Sequence, residues 1–200
     1  MARGSRLLLI VFAAGVVFAF GFAAGILSFR PMFSWYANRA EKRTTERFLG
    51  KPAPEVQTTT LDGKVWRLSD QKGKVVLIDF WATWCAPCTG ALPTLKRVQQ
   101  RYGMREDFEL VGVSLDDKKE PVEKYLEEYE IGWTILFESG AGWENQFARK
   151  FRVQGIPSLW VVDKSGAVSA MHVWDQSVVE AVAKALGELQ EGAPSARVPG

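Results

Sequence analysis

The chain has 200 residues, of which 47% are hydrophobic, and this is enough for one packed domain with additional terminal segments. The net charge is +2, but residues 51–200 contain 18 Lys and Arg against 21 Asp and Glu, so the basic excess lies in the N-terminal quarter. No basic stripe with interleaved aromatic side chains is present, which argues against a nucleic acid partner. With only two cysteines and one histidine, the sequence also argues against a metal site of the zinc type and against a scaffold built from disulfides.

An uncharged segment at residues 7–29 follows a short N-terminal tail at residues 1–6. As a helix, this segment would be roughly 34 Å long, which is enough to cross a hydrocarbon core of about 30 Å. We therefore predict a retained single-pass transmembrane anchor. The alternative is a secretory signal that is cleaved near Ala23-Ala24-Gly25, but the apolar run is long for a signal.

The sequence indicates the orientation of this anchor less directly than its presence. Residues 30–47 carry more Lys and Arg than the tail does, and the positive-inside rule taken alone favours a cytoplasmic domain. A large downstream domain can be translocated largely regardless of charge. We therefore predict that the domain lies on the periplasmic, extracytoplasmic side of the cytoplasmic (inner) membrane.

After the anchor, a charged spacer is predicted at residues 30–49, a folded domain at residues 50–190 and a disordered tail at residues 191–200. An Asp-Gly turn between Val56–Thr60 and Val65–Leu68 predicts a β-hairpin. Further apolar runs predict strands at Val75–Trp81, Phe108–Ser114, Trp133–Phe137, Ser158–Val162 and Ala167–Val173.

Helices are predicted between these strands, at Cys88–Arg101, from Pro121 to about Tyr129, at Asn145–Phe151 and at Val178–Leu189. Pro93 is expected to kink or divide the first of them. Strands that alternate with helices predict an α/β fold, and the hairpins at both ends predict a mixed central sheet flanked by helices.

The two cysteines form the motif Cys85-Ala86-Pro87-Cys88, directly after a buried strand and at the start of a helix. Free N–H groups and the dipole at a helix N-terminus stabilise a thiolate, so Cys85 is the predicted nucleophile. Cys88, predicted to be the more buried thiol, would then resolve a mixed disulfide. A purely structural disulfide is the alternative, but so short a ring restrains little of the unfolded chain. The motif therefore indicates a redox-active dithiol that needs no other cofactor.

The segment from Phe80 to Cys88 resembles the active-site segment of thioredoxin-fold proteins. It is most similar to that of the membrane-anchored TlpA/ResA-type thiol–disulfide oxidoreductases, relatives of the cytochrome c maturation reductants. The resemblance runs from about Gly50 to Leu189 and includes the hairpin and the segment Val153–Pro157. It implies a thioredoxin-like fold with an N-terminal β-hairpin and an inserted helix.

The resemblance also implies roles for individual residues. Cys85 corresponds to the attacking cysteine and Cys88 to the resolving one. Pro157 corresponds to a cis-proline that faces the dithiol, and Ile156 before it would offer backbone hydrogen bonds to a partner peptide by strand addition. Asp79 corresponds to a buried carboxylate. Since it interrupts an apolar strand, we expect a raised pKa and proton exchange with Cys88; the alternative is a strand-end residue that reaches water.

Other residues are expected around the substrate groove. Trp84 is expected to cover Cys85, and Ala86 and Pro87 to line the groove. Trp174 stands where thioredoxins have a glycine, and it either lines the groove or only packs. Ala91 stands where ResA-type proteins have a glutamate, which weakens the inference to a cytochrome c role. The remaining aromatic candidates are expected to be packing residues: Trp66, Trp133, Trp143 and Trp160.

These features predict a reductant that takes electrons from a membrane donor of the DsbD/CcdA type and reduces disulfides of client proteins, apocytochrome c among them. The alternative enzyme is a disulfide-forming oxidant with the same residues, because the direction depends on the reduction potential. A tethered chaperone or peptide-binding module is the non-redox alternative. A peroxiredoxin-type peroxidase is disfavoured, because Ile78 and Ala82 stand where those enzymes have Pro and Thr.

Overall fold

A computed structural model describes residues 44–188 of the chain. The predicted anchor at residues 7–29 lies outside the described residues, as do the tails at residues 1–6 and 191–200 and most of the spacer. From residue 44 to residue 188, no helix is both long enough and apolar enough to cross a membrane.

The packed domain begins slightly before the predicted boundary at Gly50. Phe48 is buried, and its ring centroid lies 6.4 Å from that of Phe151 and 5.3 Å from that of Trp160. The Gly50 N–H then donates a hydrogen bond to the Val168 carbonyl at 2.8 Å. The end of the predicted spacer therefore belongs to the core.

The predicted N-terminal hairpin is present. Strands β1 (Gln57–Thr59) and β2 (Val65–Arg67) pair antiparallel. Gly63 adopts a φ of +84° in the turn between them, a conformation that glycine reaches without steric cost. The Asp-Gly signal therefore marks this turn correctly.

Five strands form the central sheet, in the spatial order β5-β4-β3-β6-β7. They are β3 (Val75–Trp81), β4 (Phe108–Ser114), β5 (Thr134–Leu136), β6 (Ser158–Val162) and β7 (Val168–Met171). Strands β3, β4 and β5 run parallel, whereas β6 is antiparallel to both β3 and β7. The prediction of a mixed sheet is confirmed.

The sheet is accompanied by helices α1 (Ala86–Tyr102), α2 (Lys119–Glu128), α3 (Gln146–Lys150) and α4 (Gln176–Leu186). Successive side chains of β3 point to opposite faces of the sheet. Leu77 accordingly joins a core cluster with side chains of α1 and α4, and Ile78 joins one with side chains of α2 and α3. All seven residues of β3 are buried as a result.

The helix ends differ from the prediction. Helix α1 is continuous from Ala86 to Tyr102, so the predicted division at Pro93 is wrong. Pro93 cannot donate to the Thr89 carbonyl, and it lies on the exposed side of the helix. Helix α4 ends at Leu186, before the predicted Leu189, because Gly187 terminates it with a φ of +84°.

Candidate active site

The two cysteines form a disulfide at the N-terminus of α1, with a Cα–Cα distance of 5.3 Å. Cys85 is the N-cap residue, and its Sγ accepts a hydrogen bond from the Cys88 backbone N–H at 3.3 Å. Ala86 and Pro87 occupy the first positions of the helix, where a proline's missing N–H has no intrahelical partner to lose. The Cys85 sulfur therefore lies where unpaired N–H groups and the helix dipole favour a negative charge.

Both cysteines are secluded in this disulfide-bonded form. The exposed fraction is 5% for Cys85 and 4% for Cys88, so the predicted contrast between an open and a buried cysteine is absent. Ala86 and Pro87 between them are exposed. A partner protein would therefore meet the site through this exposed first turn of α1.

Asp79 is buried on β3, six residues before Cys85 in the chain. Its neighbours across the sheet are Gly112 on β4 and Leu159 on β6. Burial raises the pKa of Asp79 to about 7, as the sequence predicts. Among the described residues, its Oδ1 has no hydrogen-bond partner. The alternative that Asp79 reaches water at the strand's end is wrong, and its carboxyl is suited to exchange a proton near neutral pH.

Beside the first turns of α1 lies a cavity of about 350 Å³. Pro157, whose peptide bond with Ile156 is cis as expected, lines this cavity together with Pro87 of α1. Ile156 itself is half-buried and packs against the core. The full lining is Pro87, Gly90, Ala91, Thr94, Pro157, Leu159, Trp174 and Asp175.

Trp174 lines this cavity. It lies between β7 and α4 and remains 43% exposed. Its backbone N–H donates to Ser177 Oγ at 2.8 Å, and the Ser177 hydroxyl donates to the Trp174 carbonyl at 2.6 Å. These two bonds hold Trp174 just before the N-terminus of α4, with its side chain beside the cavity.

Trp84, immediately before Cys85, is 59% exposed. Its ring centroid lies 6.4 Å from that of Trp143, with 51° between the ring planes. Trp143 is itself 45% exposed, whereas Trp66 and Trp160 are buried, as expected of packing residues. The two rings form an exposed aromatic pair next to the disulfide.

Sequence reasoning missed a second buried carboxylate near the motif, Asp116, which is 3% exposed. It accepts hydrogen bonds from both the backbone N–H and the hydroxyl of Thr83, two residues before Cys85. Strands β3 and β4 are parallel, so the segments that follow them emerge at the same edge of the sheet. That topology was the available signal for pairing Asp116 with the active-site loop. Within residues 44–188, no group of three or more His, Cys, Asp or Glu side chains is arranged to hold a metal ion.

A mixed sheet whose central strand leads into a disulfide-capped helix, with a cis-proline near by, defines the class of thioredoxin-like proteins. By sequence the chain belongs to the AhpC/TSA family, which matches residues 49–171. The thioredoxin-like protein YneN of Bacillus subtilis (strain 168) is 30% identical over 125 residues, which are 62% of this chain and 71% of the relative.

Two further relatives carry names that state an activity. The thiol–disulfide oxidoreductase ResA of Geobacillus thermodenitrificans is 29% identical over 136 residues, 68% of this chain and 75% of the relative. The crystal structure of a thiol:disulfide interchange protein of the thioredoxin family from Chlorobium tepidum TLS matches with a TM-score of 0.59 at 30% identity. That match covers 68% of this chain and 97% of the other. The chain is therefore a protein thiol–disulfide oxidoreductase with a thioredoxin-like fold.

Proposed function

We propose that the Cys85–Cys88 pair is the redox centre of a membrane-tethered reductant that acts on disulfides of extracytoplasmic client proteins. The observation that carries this proposal is the position of Cys85 as the N-cap of α1, where its sulfur already accepts a backbone hydrogen bond. The Cys88 backbone N–H and the helix dipole would stabilise a Cys85 thiolate in the reduced protein.

The reaction begins with the reduced dithiol. The Cys85 thiolate attacks one sulfur of a client disulfide, the client's S–S bond breaks, and its other sulfur leaves as a thiolate. The Cys88 thiolate then attacks Cys85 Sγ and displaces the second client thiolate. Two electrons pass to the client, and the chain ends with the Cys85–Cys88 disulfide that the structure describes.

Asp79 is proposed to accept the proton that Cys88 loses in this second step. Cys88 must lose a proton before it can attack, and a carboxylate of raised pKa accepts protons more readily near neutral pH than an ordinary one. The burial of Asp79 and its pKa of about 7 support this role.

The client is proposed to bind over the cavity beside α1. The backbone at Ile156 and the cis-Pro157 would pair with an extended client segment by strand addition. Trp84, Ala86 and Pro87 are exposed next to the disulfide, and Trp174 lines the cavity. An apolar surface of this kind suits a polypeptide segment around a cysteine rather than a small charged substrate.

The tether, the location and the partners rest on the sequence and the resemblance. Residues 7–29 are proposed as the single-pass anchor in the cytoplasmic membrane, with the domain on the periplasmic side. A membrane protein of the DsbD/CcdA type would return two electrons to the oxidised pair. Apocytochrome c is the proposed client class, although Ala91 leaves the cavity without the glutamate that ResA-type proteins carry there.

Trapping in cells tests this proposal. In a Cys88→Ser variant the second step cannot occur, so client proteins should accumulate as mixed disulfides on Cys85, in the membrane fraction, and should be released by dithiothreitol. The matched control is Cys85→Ser, which keeps one thiol but should trap no client. Adducts of equal abundance on both variants, or none on either, would contradict the proposal. Full function of Cys85→Ser would instead favour the chaperone alternative.

A further inference from the structure

Asp116 and Thr83 join the segment after β4 to the active-site loop after β3. The Thr83 N–H donates to Asp116 Oδ2 at 3.0 Å, and the Thr83 hydroxyl donates to Oδ1 at 2.6 Å. The Ser114 hydroxyl donates to Oδ2 at 2.9 Å. The carboxylate thus has three donors, as a buried charge requires, and two of them belong to Thr83.

This pairing fastens the loop immediately before Cys85. Trp81, at the end of β3, is bonded to the segment after β4, because its carbonyl accepts from the Leu115 N–H at 2.9 Å. Within the loop, the Cys85 N–H donates to the Ala82 carbonyl at 3.1 Å. Thr83 is the remaining link between these anchored residues and Trp84. With its backbone and its side chain both bonded to Asp116, the Thr83 peptide is held against rotation.

The orientation of this loop determines where the Cys85 sulfur lies. Cys85 caps α1 with an extended backbone (φ −94°, ψ 93°), and in that conformation its side chain turns back to the Cys88 N–H. A freer loop would let the sulfur leave the helix N-terminus. The reduced form would then lose part of the stabilisation of its thiolate.

We propose that Asp116 is a positioning residue that acts through Thr83 to hold the Cys85 sulfur at the N-terminus of α1, and that it thereby sets the nucleophilicity of Cys85. Asp116 does not contact either sulfur. Its effect is transmitted by the two Thr83 hydrogen bonds, so the two residues should behave as one unit when they are replaced together.

The test is the pH profile of alkylation by iodoacetamide in a Cys88→Ser background, where Cys85 is the only thiol of the chain. Asp116→Ala should raise the apparent pKa of Cys85 and slow its alkylation at neutral pH by about tenfold, which corresponds to a shift of about one unit. Thr83→Val keeps the backbone donor and should act in the same direction by a smaller factor. Thr83→Ser, which keeps both donors, should match the parent, and Asp116→Ala with Thr83→Val should equal Asp116→Ala alone.

Two controls separate positioning from general loosening of the domain. Asp163 also accepts three hydrogen bonds, from Ser165 N, Ser165 Oγ and Ala167 N at 2.9, 2.6 and 3.1 Å, but it lies in the turn between β6 and β7. Asp163→Ala should lower stability and leave the Cys85 profile unchanged. Ser114→Ala removes the two hydrogen bonds of its hydroxyl with Asp116, one to Oδ2 and one from the Asp116 backbone N–H, but neither bond of Asp116 to Thr83, and it too should leave the profile unchanged.

Two results would overturn the proposal. If Asp116→Ala loses stability and keeps the parental Cys85 profile, Asp116 is merely structural. If Asp116→Ala lowers the pKa of Cys85 while Thr83→Val raises it, the carboxylate acts by its charge rather than by position. Should Asp116→Ala fail to fold, the pKa of Cys85 in Thr83→Val is compared with that in Thr83→Ser. A higher pKa in Thr83→Val supports the proposal, and equal pKa values overturn it.

Discussion

Two buried aspartates near the disulfide have opposite surroundings. Asp79 has an Oδ1 without a hydrogen-bond partner in the described part of the chain, whereas Asp116 accepts from Thr83 and Ser114. The burial and the raised pKa of Asp79 were predictable, because an acid within an apolar strand is conspicuous. Asp116 follows a strand, where acids are common, and its burial depends on Thr83, which is 33 positions away in the sequence. No local pattern reports such a contact.

The raised pKa of Asp79 predicts how stability depends on pH. The folded protein holds this proton up to a pH of about 7, whereas the unfolded chain releases it near pH 4, so stability falls as the pH rises between these values. Asp79→Asn removes this dependence. At pH 8 the variant should have a higher free energy of unfolding than the parent by up to about 4 kcal/mol, and at pH 4 this advantage should vanish.

Denaturant unfolding of the oxidised proteins at both pH values measures this difference. Asp163→Asn is the matched control, since Asp163 is hydrogen-bonded in a surface turn and should give no such gain at pH 8. An Asp79→Asn variant whose difference from the parent is the same at pH 4 and pH 8 would show that folding does not raise the pKa of Asp79.

At the scale of elements, strands were easier to predict than helix ends. Strands β4 and β6 occupy the predicted residues, because both are apolar runs bounded by polar or turn-forming residues. The ends of α1 and α4 depend instead on caps. Cys85 caps α1 through its sulfur, so the helix starts at Ala86 rather than Cys88, and Gly187 ends α4. Such caps follow from individual contacts and leave little trace in hydrophobic periodicity.

The predicted anchor is the element that needs its own test. A reporter that is active only outside the cytoplasm, fused after Gly200, should be active when residues 7–29 are present, because an apolar segment of this length inserts and the domain follows it. The matched control lacks residues 1–29 and should give an inactive reporter in the soluble fraction. A silent reporter on a membrane-bound full chain would mean that the charge count at residues 30–47 sets the opposite orientation.

At the scale of the whole molecule, the site gathers residues that lie far apart in the sequence. Cys85, Asp79 and Pro157 were each predictable because they lie in recognisable local motifs. The placement of Pro157 and Trp174 beside one cavity with Pro87 of the motif was expected only from the family resemblance, and the pairing of Trp84 with Trp143 was not foreseen. The exposure of an aromatic ring depends on which loops contact each other at the surface. Neither the composition of the chain nor the spacing of its residues predicts such a contact directly.

Cys85 and Cys88 are proposed to form a reducing couple. The reduction potential of the purified full chain tests this role, measured by equilibration with thiol–disulfide buffers and counting of alkylated cysteines. We predict one reversible two-electron transition near the thioredoxin value of about −270 mV. A potential near about −120 mV would make the chain an oxidant instead, and a pair that never equilibrates with the buffer would contradict the redox role altogether.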